Sequence, residues 1–475
     1  MAKHYKMYLA GAWVDRKEKD EVRNPYDDSV VGTVAYASKA DVTKAIEAAH
    51  RAFEKTKVMS SYARAEACQS ISDGLKKNRE KFGKMMSMEV GKALNDSLGE
   101  VDRAIFTFQL AAEEAKRIGG EIMDLDWTKG NDGRMGLIRR FPVGVIAGIS
   151  PFNFPLNLVA HKIAPAMASG NTIVLKPAPK TPIIALMLAE LIDKSGYPKG
   201  AISVLPASND AAAPLIDDER VKVISFTGSD TVGWMIKDRA KKKKVVLELG
   251  GNAGVIIADD ADLDYAVERV LVGGFGQSGQ SCISVQRVFV HEKVKDAFIK
   301  MLVPKVKKLK QGNPLDKDTK IGTMVDQKAI DKTKDIFDDA KKGGAKFETG
   351  GKIKGLMVEP TVLTNVKPSM KACRLEAFSP LIAVQSYKKF EEAVKQVNDS
   401  PFGLQAGVFT NRLDDVFHAF QHIDAGGVVV NDVPTFRADQ QPYGGMKDSG
   451  IGREGVRYAI DDFTEIKILS MNLRR

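Results

Sequence analysis

Three short segments carry side chains able to act on a carbonyl carbon. In Gly276-Gln277-Ser278-Gly279-Gln280-Ser281-Cys282, a cysteine follows a flexible Gly/Ser loop. Such a loop can present the thiol to a cleft with the backbone N–H of Cys282 free to donate, and a thiolate is an able nucleophile. In Glu248-Leu249-Gly250-Gly251, a carboxylate ends an apolar run. Active sites of α/β sheets form at strand ends, and a carboxylate there can take a proton from a thiol or a water. The third segment is Ile149-Ser150-Pro151-Phe152-Asn153-Phe154-Pro155. Its prolines stiffen the loop, so that Asn153 could donate a hydrogen bond to an oxyanion. Two further features suit a phosphorylated ligand. Gly228-Ser229-Asp230-Thr231-Val232-Gly233 spaces its glycines five apart before a helix, and Lys176 lies just past a strand end. Taken singly, each feature also fits a plainer role: a small buried hydrophobe, a surface carboxylate, a proline-rich turn, a solvated lysine.

The elements that must position these residues alternate along the chain. Ser38 and Asp41 form a capping-box start, after which Ala45, Ile46, Ala49 and Phe53 recur at helical spacing. A second helical stretch covers about 61–116, with Glu100, Asp102 and Arg103 on its polar side. Continuous apolar runs at 143–149, 172–175 and 221–226 have the look of buried parallel strands. Helices follow the second run, from a Thr181 cap to Ser195, and the third, from about 230. A second α/β unit follows, with strands at 255–258, 285–290, 407–410 and 428–431 and a helix over 263–276. This predicts an α/β fold with two sheet domains. The segment 119–140 and the tail at 466–471 are expected to form extra strands that join subunits.

At 475 residues the chain is long enough for about three structural units and a core that needs no staples. Its 44% hydrophobic and 28% charged residues are those of an ordinary globular protein, which excludes disorder, collagen and coiled coil for the whole. The formal charge of +10 is scattered; the run Lys241 to Lys244 has no interleaved aromatics and reads as the solvated end of a helix rather than a nucleic-acid patch. Cys68, Cys282 and Cys373 are odd in number and unpaired in spacing, so neither a disulfide framework nor a zinc site is expected. His418 and His422, four apart, lack a third ligand nearby and read as a helix face. The start MAKHYKMYLAGAW lacks an apolar core of signal-peptide length, and no run of about 18 apolar residues exists to cross a membrane. A cytoplasmic protein without membrane or nucleic-acid partners is the expectation.

Taken together and in order, these segments resemble the NAD(P)-dependent aldehyde dehydrogenases. The likeness spans nearly the whole chain: ISPFNFP at 149–155, KPAPKTP at 176–182, FTGSDTVG at 226–233, ELGGN at 248–252 and GQSC at 279–282. EAFSP at 376–380, VVVND at 428–432 and PYGGMKDSGIGREG at 442–455 complete it. The resemblance implies an aldehyde dehydrogenase-like fold, with a Rossmann-like dinucleotide-binding domain from 1–118 and 141–248. A catalytic domain over 249–445 and an oligomerisation arm from 119–140 and 456–475 complete the implied layout. It implies a homodimer or homotetramer.

It also implies a mechanism. Cys282 attacks the aldehyde, Asn153 and the Cys282 N–H hold the oxyanion, the thiohemiacetal is oxidised to a thioester, and Glu248 activates the water that releases the acid. Cofactor contacts are implied for Ile149, Ser150, Pro151, Phe152, Lys176, Pro179, Gly228, Ser229, Gly233, Leu249, Gly250, Glu376 and Phe378. Lys176 and Glu376 would hold ribose hydroxyls. Ser379 stands where the family usually has glycine, from which a modest loop shift is expected. Relatives that prefer NAD often carry Glu at the place of Pro179, so NADP as well as NAD is expected to bind; no metal is expected.

The stretches GQSCISVQRVFV and NDVPTFRADQQPYGGMKDSG are similar to a subgroup with lactaldehyde, phosphonoacetaldehyde and non-phosphorylating glyceraldehyde-3-phosphate dehydrogenases. Phosphate readers there tend to place Arg just before the cysteine; Ser281 at that position argues against a phosphorylated substrate. Arg103, Phe154, Ser281 and Arg437 are the substrate-side candidates, with ion pairs or surface positions as the alternative for the arginines. A short polar aldehyde such as lactaldehyde comes first, a small acidic semialdehyde second. An intact Glu248 favours water over CoA as acyl acceptor, the dinucleotide loops argue against a cofactor-free esterase, and the intact Asn153, Glu248 and Cys282 argue against a silent structural relative. Cys68 and Cys373, the latter expected in a loop, are read as bystanders.

Overall fold

The computed structural model describes residues 3–473, so the outer limits of the segments expected from 1 and to 475 lie outside the described residues. Its first large sheet has eight strands, in the order Gly450–Ile451, Lys244–Glu248, Val221–Thr227, Val145–Ile149, Thr172–Lys176, Ile202–Val204, Met7–Leu9 and Ala12–Val14. The five from Lys244–Glu248 to Ile202–Val204 are parallel. They are apolar and almost wholly buried because helices cover both faces. The strand order turns back between Val145–Ile149 and Val221–Thr227, and the loops after these two strands therefore flank one crevice.

The second large sheet runs Lys346–Thr349, Thr361–Thr364, Leu381–Tyr387, Arg287–His291, Gly254–Ile257, Gln405–Phe409 and Gly427–Val430, parallel except at the first pair. A third sheet stands apart from both: Gly120–Asp124, Arg134–Pro142 and Thr464–Asn472, antiparallel, the last two paired over nine residues.

Several expectations need correction. The helical stretch over 61–116 is three helices, Ser61–Lys77, Arg79–Val90 and Leu94–Glu114. Gly91, at φ 72°, ends the second, because a residue in the left-handed region closes a helix and glycine enters it without strain. Glu100 is not on a polar face; it is buried, for reasons given below. The helix Val456–Asp462, placed with the oligomerisation tail from sequence, packs on Leu94–Glu114 and on Asn157–Ala168, and only Thr464–Asn472 joins the arm. Lys241 to Lys243 form a turn after the helix Asp230–Arg239, with Lys241 at φ 54°. Cys373 lies in a short helix, Lys371–Arg374, not a loop. The cap at Thr181 makes no side-chain hydrogen bond, whereas the Ser38/Asp41 capping box is formed.

The helix Asn157–Ala168 is buried along its whole length between the first sheet and the outer helices. It carries His161 and Lys162 into the interior, and burial of such groups demands partners. Among the described residues, no helix is long and apolar enough to cross a membrane.

Candidate active site

The helix Leu263–Phe275 ends in a turn whose backbone is unusual. Gln277, Ser278 and Gly279 stand at φ 53°, 55° and 70°. Non-glycine residues pay strain there, and such strain persists only where surroundings fix it. Here the fixing groups are visible. The Gln277 N–H donates to the Asp96 carboxylate (2.9 Å), and the Gln277 side-chain amide donates to the Asn153 carbonyl. Gln280 donates to the Thr323 carbonyl (3.1 Å) and accepts from the Val325 N–H (3.0 Å). A Cβ on Gly279 would lie 2.2 Å from the Ser379 carbonyl oxygen, so only glycine fits. The turn delivers Cys282, partly exposed, with Sγ 3.2 Å from the Tyr443 hydroxyl. Burial pushes its thiol up to about 12; Tyr443 and Arg437 pull it down, and Glu376 and Glu248 push it up.

Asn153 is buried, and its side-chain amide donates to the Gln280 carbonyl (3.1 Å), which ties the loop after Val145–Ile149 to the loop that ends in Cys282. The second amide hydrogen of such a group stays available. The backbone of this loop is clamped from below. Lys92, in an ion pair with Glu100, donates to the Asn153 carbonyl (3.4 Å), and Glu100 accepts from the N–H groups of Leu156 and Asn157 (2.8 and 3.0 Å). Glu100 thus caps the first turn of the helix Asn157–Ala168, where a negative charge is favoured.

Glu248 ends the strand Lys244–Glu248, 3% exposed, with no hydrogen-bond partner on either oxygen. Burial raises its carboxyl well above the usual range, Glu454 raises it further, and Arg437, Lys162 and Arg453 oppose. A Cβ on Gly444 would stand 2.9 Å from its Oε1, so the glycine keeps space beside the acid. Behind it lies a closed set of charges: Arg437 donates to Glu454 (3.0 Å), and Lys162 bonds Glu454, Thr227 and Ser225 (3.4, 2.7 and 3.2 Å).

On the crevice side, several polar groups have no partner among the described residues. Lys176 is buried at its strand end with an unpaired ammonium, which burial pulls down to about 8. Ser150 Oγ and Trp234 Nε1 are likewise buried and unbonded. Glu376 accepts from the Gly251 N–H (2.9 Å), and burial lifts it to about 7. A Cβ on Gly250 would lie 3.2 Å from that carboxylate. Phe152 and Phe378 meet edge to face at 6.0 Å, Phe378 in the left-handed region at φ 53°. Gly228 donates to the Glu248 carbonyl (3.1 Å), and a Cβ on Gly233 would run into Leu249 at 2.3 Å. Ser229 opens the helix Asp230–Arg239 without a side-chain cap bond. Unbonded hydroxyl, indole and ammonium donors beside a helix N-terminus suit the hydroxyls and phosphates of a dinucleotide. Pro179 and Lys180 are exposed at a cavity of about 480 Å³ that Asp20, Glu21, Asp28 and Glu89 also line. Ser379 is buried with its hydroxyl unbonded.

On the substrate side, the two arginines differ. Arg103 forms a two-point pair with Asp439 (2.6 and 3.3 Å) and lies 6.0 Å from the Phe154 ring. Burial raises Asp439, but His161 and Arg103 hold it well below the usual range. The Arg437 side chain is 5% exposed and stacks on Tyr443, 3.7 Å from the ring centroid; its Nε is buried without a partner among the described residues. Ser281 is buried and accepts from the Ile283 N–H (3.4 Å). Residues that sequence reasoning did not single out are Lys92, Gln277, Tyr443, Glu454 and Lys162. Tyr443 and Glu454 stand inside the quoted 442–455 motif; for Lys92 no local signal exists. Among the described residues, no group of three or more His, Cys, Asp or Glu could hold a metal ion.

The chain matches the profile of the Aldehyde dehydrogenase family over residues 13–469. It is 44% identical over 472 residues to the 3-sulfolactaldehyde dehydrogenase of Priestia aryabhattai, covering 99% of this chain and 98% of that one. With the lactaldehyde dehydrogenase of Methanococcus aeolicus it shares 38% identity over 473 residues, 98% and 100% of the two chains. Among solved structures, aldehyde dehydrogenase 21 from Physcomitrella patens, in complex with the reaction product succinate, superposes with a TM-score of 0.98 at 46% identity, covering 99% of both chains. A betaine aldehyde dehydrogenase of Staphylococcus aureus in complex with NAD+ gives 0.94 at 33% identity, covering 99% and 98%.

Proposed function

Since this chain belongs to the aldehyde dehydrogenase family, and is an NAD(P)-dependent oxidoreductase acting on aldehydes, we propose that its substrate is a short aldehyde with a hydroxyl or anionic group at the far end. The observation that carries this reading is Arg437: a buried guanidinium beside Tyr443, Cys282 and Glu248, with one donor unpaired. An unpaired buried donor is costly unless a ligand satisfies it, and an arginine suits a carboxylate, sulfonate or hydroxyl. The names of relatives agree: sulfolactaldehyde and lactaldehyde are hydroxylated, and sulfolactaldehyde is anionic. A small acidic semialdehyde is the second reading, favoured by the succinate bound in the moss structure.

In this reading Cys282 is the nucleophile, and Asn153 with the Cys282 N–H receives the oxyanion of the thiohemiacetal. Lys176, Glu376, Ser150 and the N-terminus at Ser229 would hold the dinucleotide, with Phe152 and Phe378 among the residues that would receive it. When bound, the nicotinamide supplies the hydride acceptor for the oxidation. Glu248 takes a proton from the water that cleaves the thioester; an acid that burial raises above the ordinary carboxylate range is a stronger base for that step. Pro179 offers no carboxylate to repel a 2′-phosphate, so both NAD and NADP bind. The cofactor domain comprises the eight-stranded sheet and its helices, the catalytic domain the seven-stranded sheet, and the arm joins copies into a dimer or tetramer.

The test follows reduced nicotinamide by absorbance, with neutral, hydroxylated and anionic short aldehydes, each with NAD and NADP. Cys282→Ala is expected to abolish turnover. Arg437→Met is expected to raise KM for the hydroxylated and anionic aldehydes about tenfold or more while leaving plain propanal within a few-fold. Equal losses across the panel would remove Arg437 from substrate recognition.

A further inference from the structure

The Tyr443 hydroxyl is the one side-chain group in hydrogen-bond contact with the Cys282 sulfur among the described residues, at 3.2 Å. Its place is fixed on three sides. Tyr443 exchanges both backbone hydrogen bonds with Glu454, as donor (3.0 Å) and acceptor (2.6 Å). Its ring packs with Ile283 and Leu404 in a small apolar cluster that Cys282 borders. On the ring lies Arg437, 3.7 Å from the centroid and itself held by Glu454. Among the described residues no other partner engages the phenol oxygen, so its hydrogen and the sulfur are paired with each other.

Either atom could donate in a neutral pair, but the guanidinium decides the direction. A cation on the face of a phenol draws electron density from its oxygen, which makes the O–H a better donor and the oxygen a poorer acceptor. We propose that Tyr443 is a catalytic residue that donates its hydroxyl hydrogen to the Cys282 sulfur and stabilises the thiolate, and that Arg437 is a positioning residue that holds the ring and strengthens that donor. The proposal rests on Cys282 being the nucleophile. Charged or titratable groups facing the sulfur are Tyr443, Glu376, Arg437 and Glu248; the two carboxylates oppose the thiolate, and the tyrosine and arginine favour it. Facing Tyr443 are Cys282, Arg437 and Glu248. In a site where burial works against ionisation, a single well-aimed O–H is a large share of what favours the reactive form.

The test reads the sulfur directly. The rate at which iodoacetamide alkylates Cys282 in the full-length enzyme is measured from neutral pH upward, toward the high range into which burial pushes this thiol, by mass spectrometry of the Cys282 peptide. Tyr443→Phe removes only the hydroxyl; the midpoint is expected to rise by about one pH unit, with alkylation about tenfold slower below it. Arg437→Met should shift the midpoint in the same direction by less. Leu404→Ala, which loosens packing on the ring but keeps the hydroxyl, should leave it in place. An unchanged midpoint in Tyr443→Phe, or an equal shift in Leu404→Ala, overturns the proposal. Aldehyde turnover surviving in Cys282→Ala would instead overturn the nucleophile itself, while the alkylation profile would still report the tyrosine–sulfur bond.

Discussion

Glu248 ends its strand with two unbonded oxygens in the interior, and this has opposite consequences for stability and for turnover. A carboxyl raised by folding stabilises the fold below its unfolded value, and that contribution is lost as pH rises through the folded value. Above it, the ionised acid is a net burden that Arg437, Lys162 and Arg453 offset only in part. Glu248→Gln should therefore melt at a higher temperature than the parent at pH 8, and the gap should narrow toward pH 4; a gap independent of pH would mean that the carboxyl does not titrate there. In turnover the same change should leave a burst of reduced cofactor near one equivalent per site. The steady state should slow about 10²–10⁴-fold, since acylation needs no water and release of the acid does. A lost burst would move Glu248 to the first half of the reaction.

At the scale of elements, the loops that carry Asn153 and Cys282 are held by groups remote in sequence. Glu100 caps the helix Asn157–Ala168 and pairs with Lys92, which in turn holds the Asn153 carbonyl. Glu100→Ala removes the cap and leaves a buried ammonium unpaired. Breaking such a pair costs about 3–5 kcal/mol, read as a lower denaturation midpoint, and kcat should fall with it because Asn153 loses its fixed position. Glu100→Gln, which keeps an acceptor for the helix N-terminus, should recover part of both. If Glu100→Ala lowers stability but not kcat, the cap is structural only. The loop before Cys282 obeys the same logic: its left-handed Gln277 is bonded in place by Asp96 and Asn153, and the next residue but two, Gln280, by Thr323 and Val325.

For the whole molecule, the feature without an internal explanation is the arm. Ile122, Ile466, Ile468 and Leu469 lie exposed on a three-stranded sheet that stands off both large sheets. Apolar side chains grouped in this way are what a contact between chains would cover, in keeping with the assembly proposed above. Ile466→Glu with Ile468→Glu should shift the mass in light scattering from the parent assembly to a smaller one without loss of helix or strand content. An unchanged mass would place the assembly contacts elsewhere.

Much of this was legible in the chain itself. The order of apolar runs and helical patterns determined a doubly wound α/β fold, because burial on both faces makes parallel strands continuous in hydrophobicity. That Asn153 and Glu248 stand where apolar strands end was legible for the same reason, whereas Cys282 was marked only by its Gly/Ser loop and is delivered by the turn after the helix Leu263–Phe275. Three things only the tertiary structure decided. Glu100 reads as a surface acid on an amphipathic helix, since no local pattern reveals that a distant helix N-terminus and Lys92 await it. Val456–Asp462 reads as part of a tail, although it packs on Leu94–Glu114 and Asn157–Ala168. The pairing of Tyr443 with Cys282 and of Arg437 with Tyr443 joins residues 161 positions apart and residues six apart on one irregular loop, which no helical or strand period relates. Periodicity reports which face of an element is buried; which partners meet across that face depends on how the elements are packed.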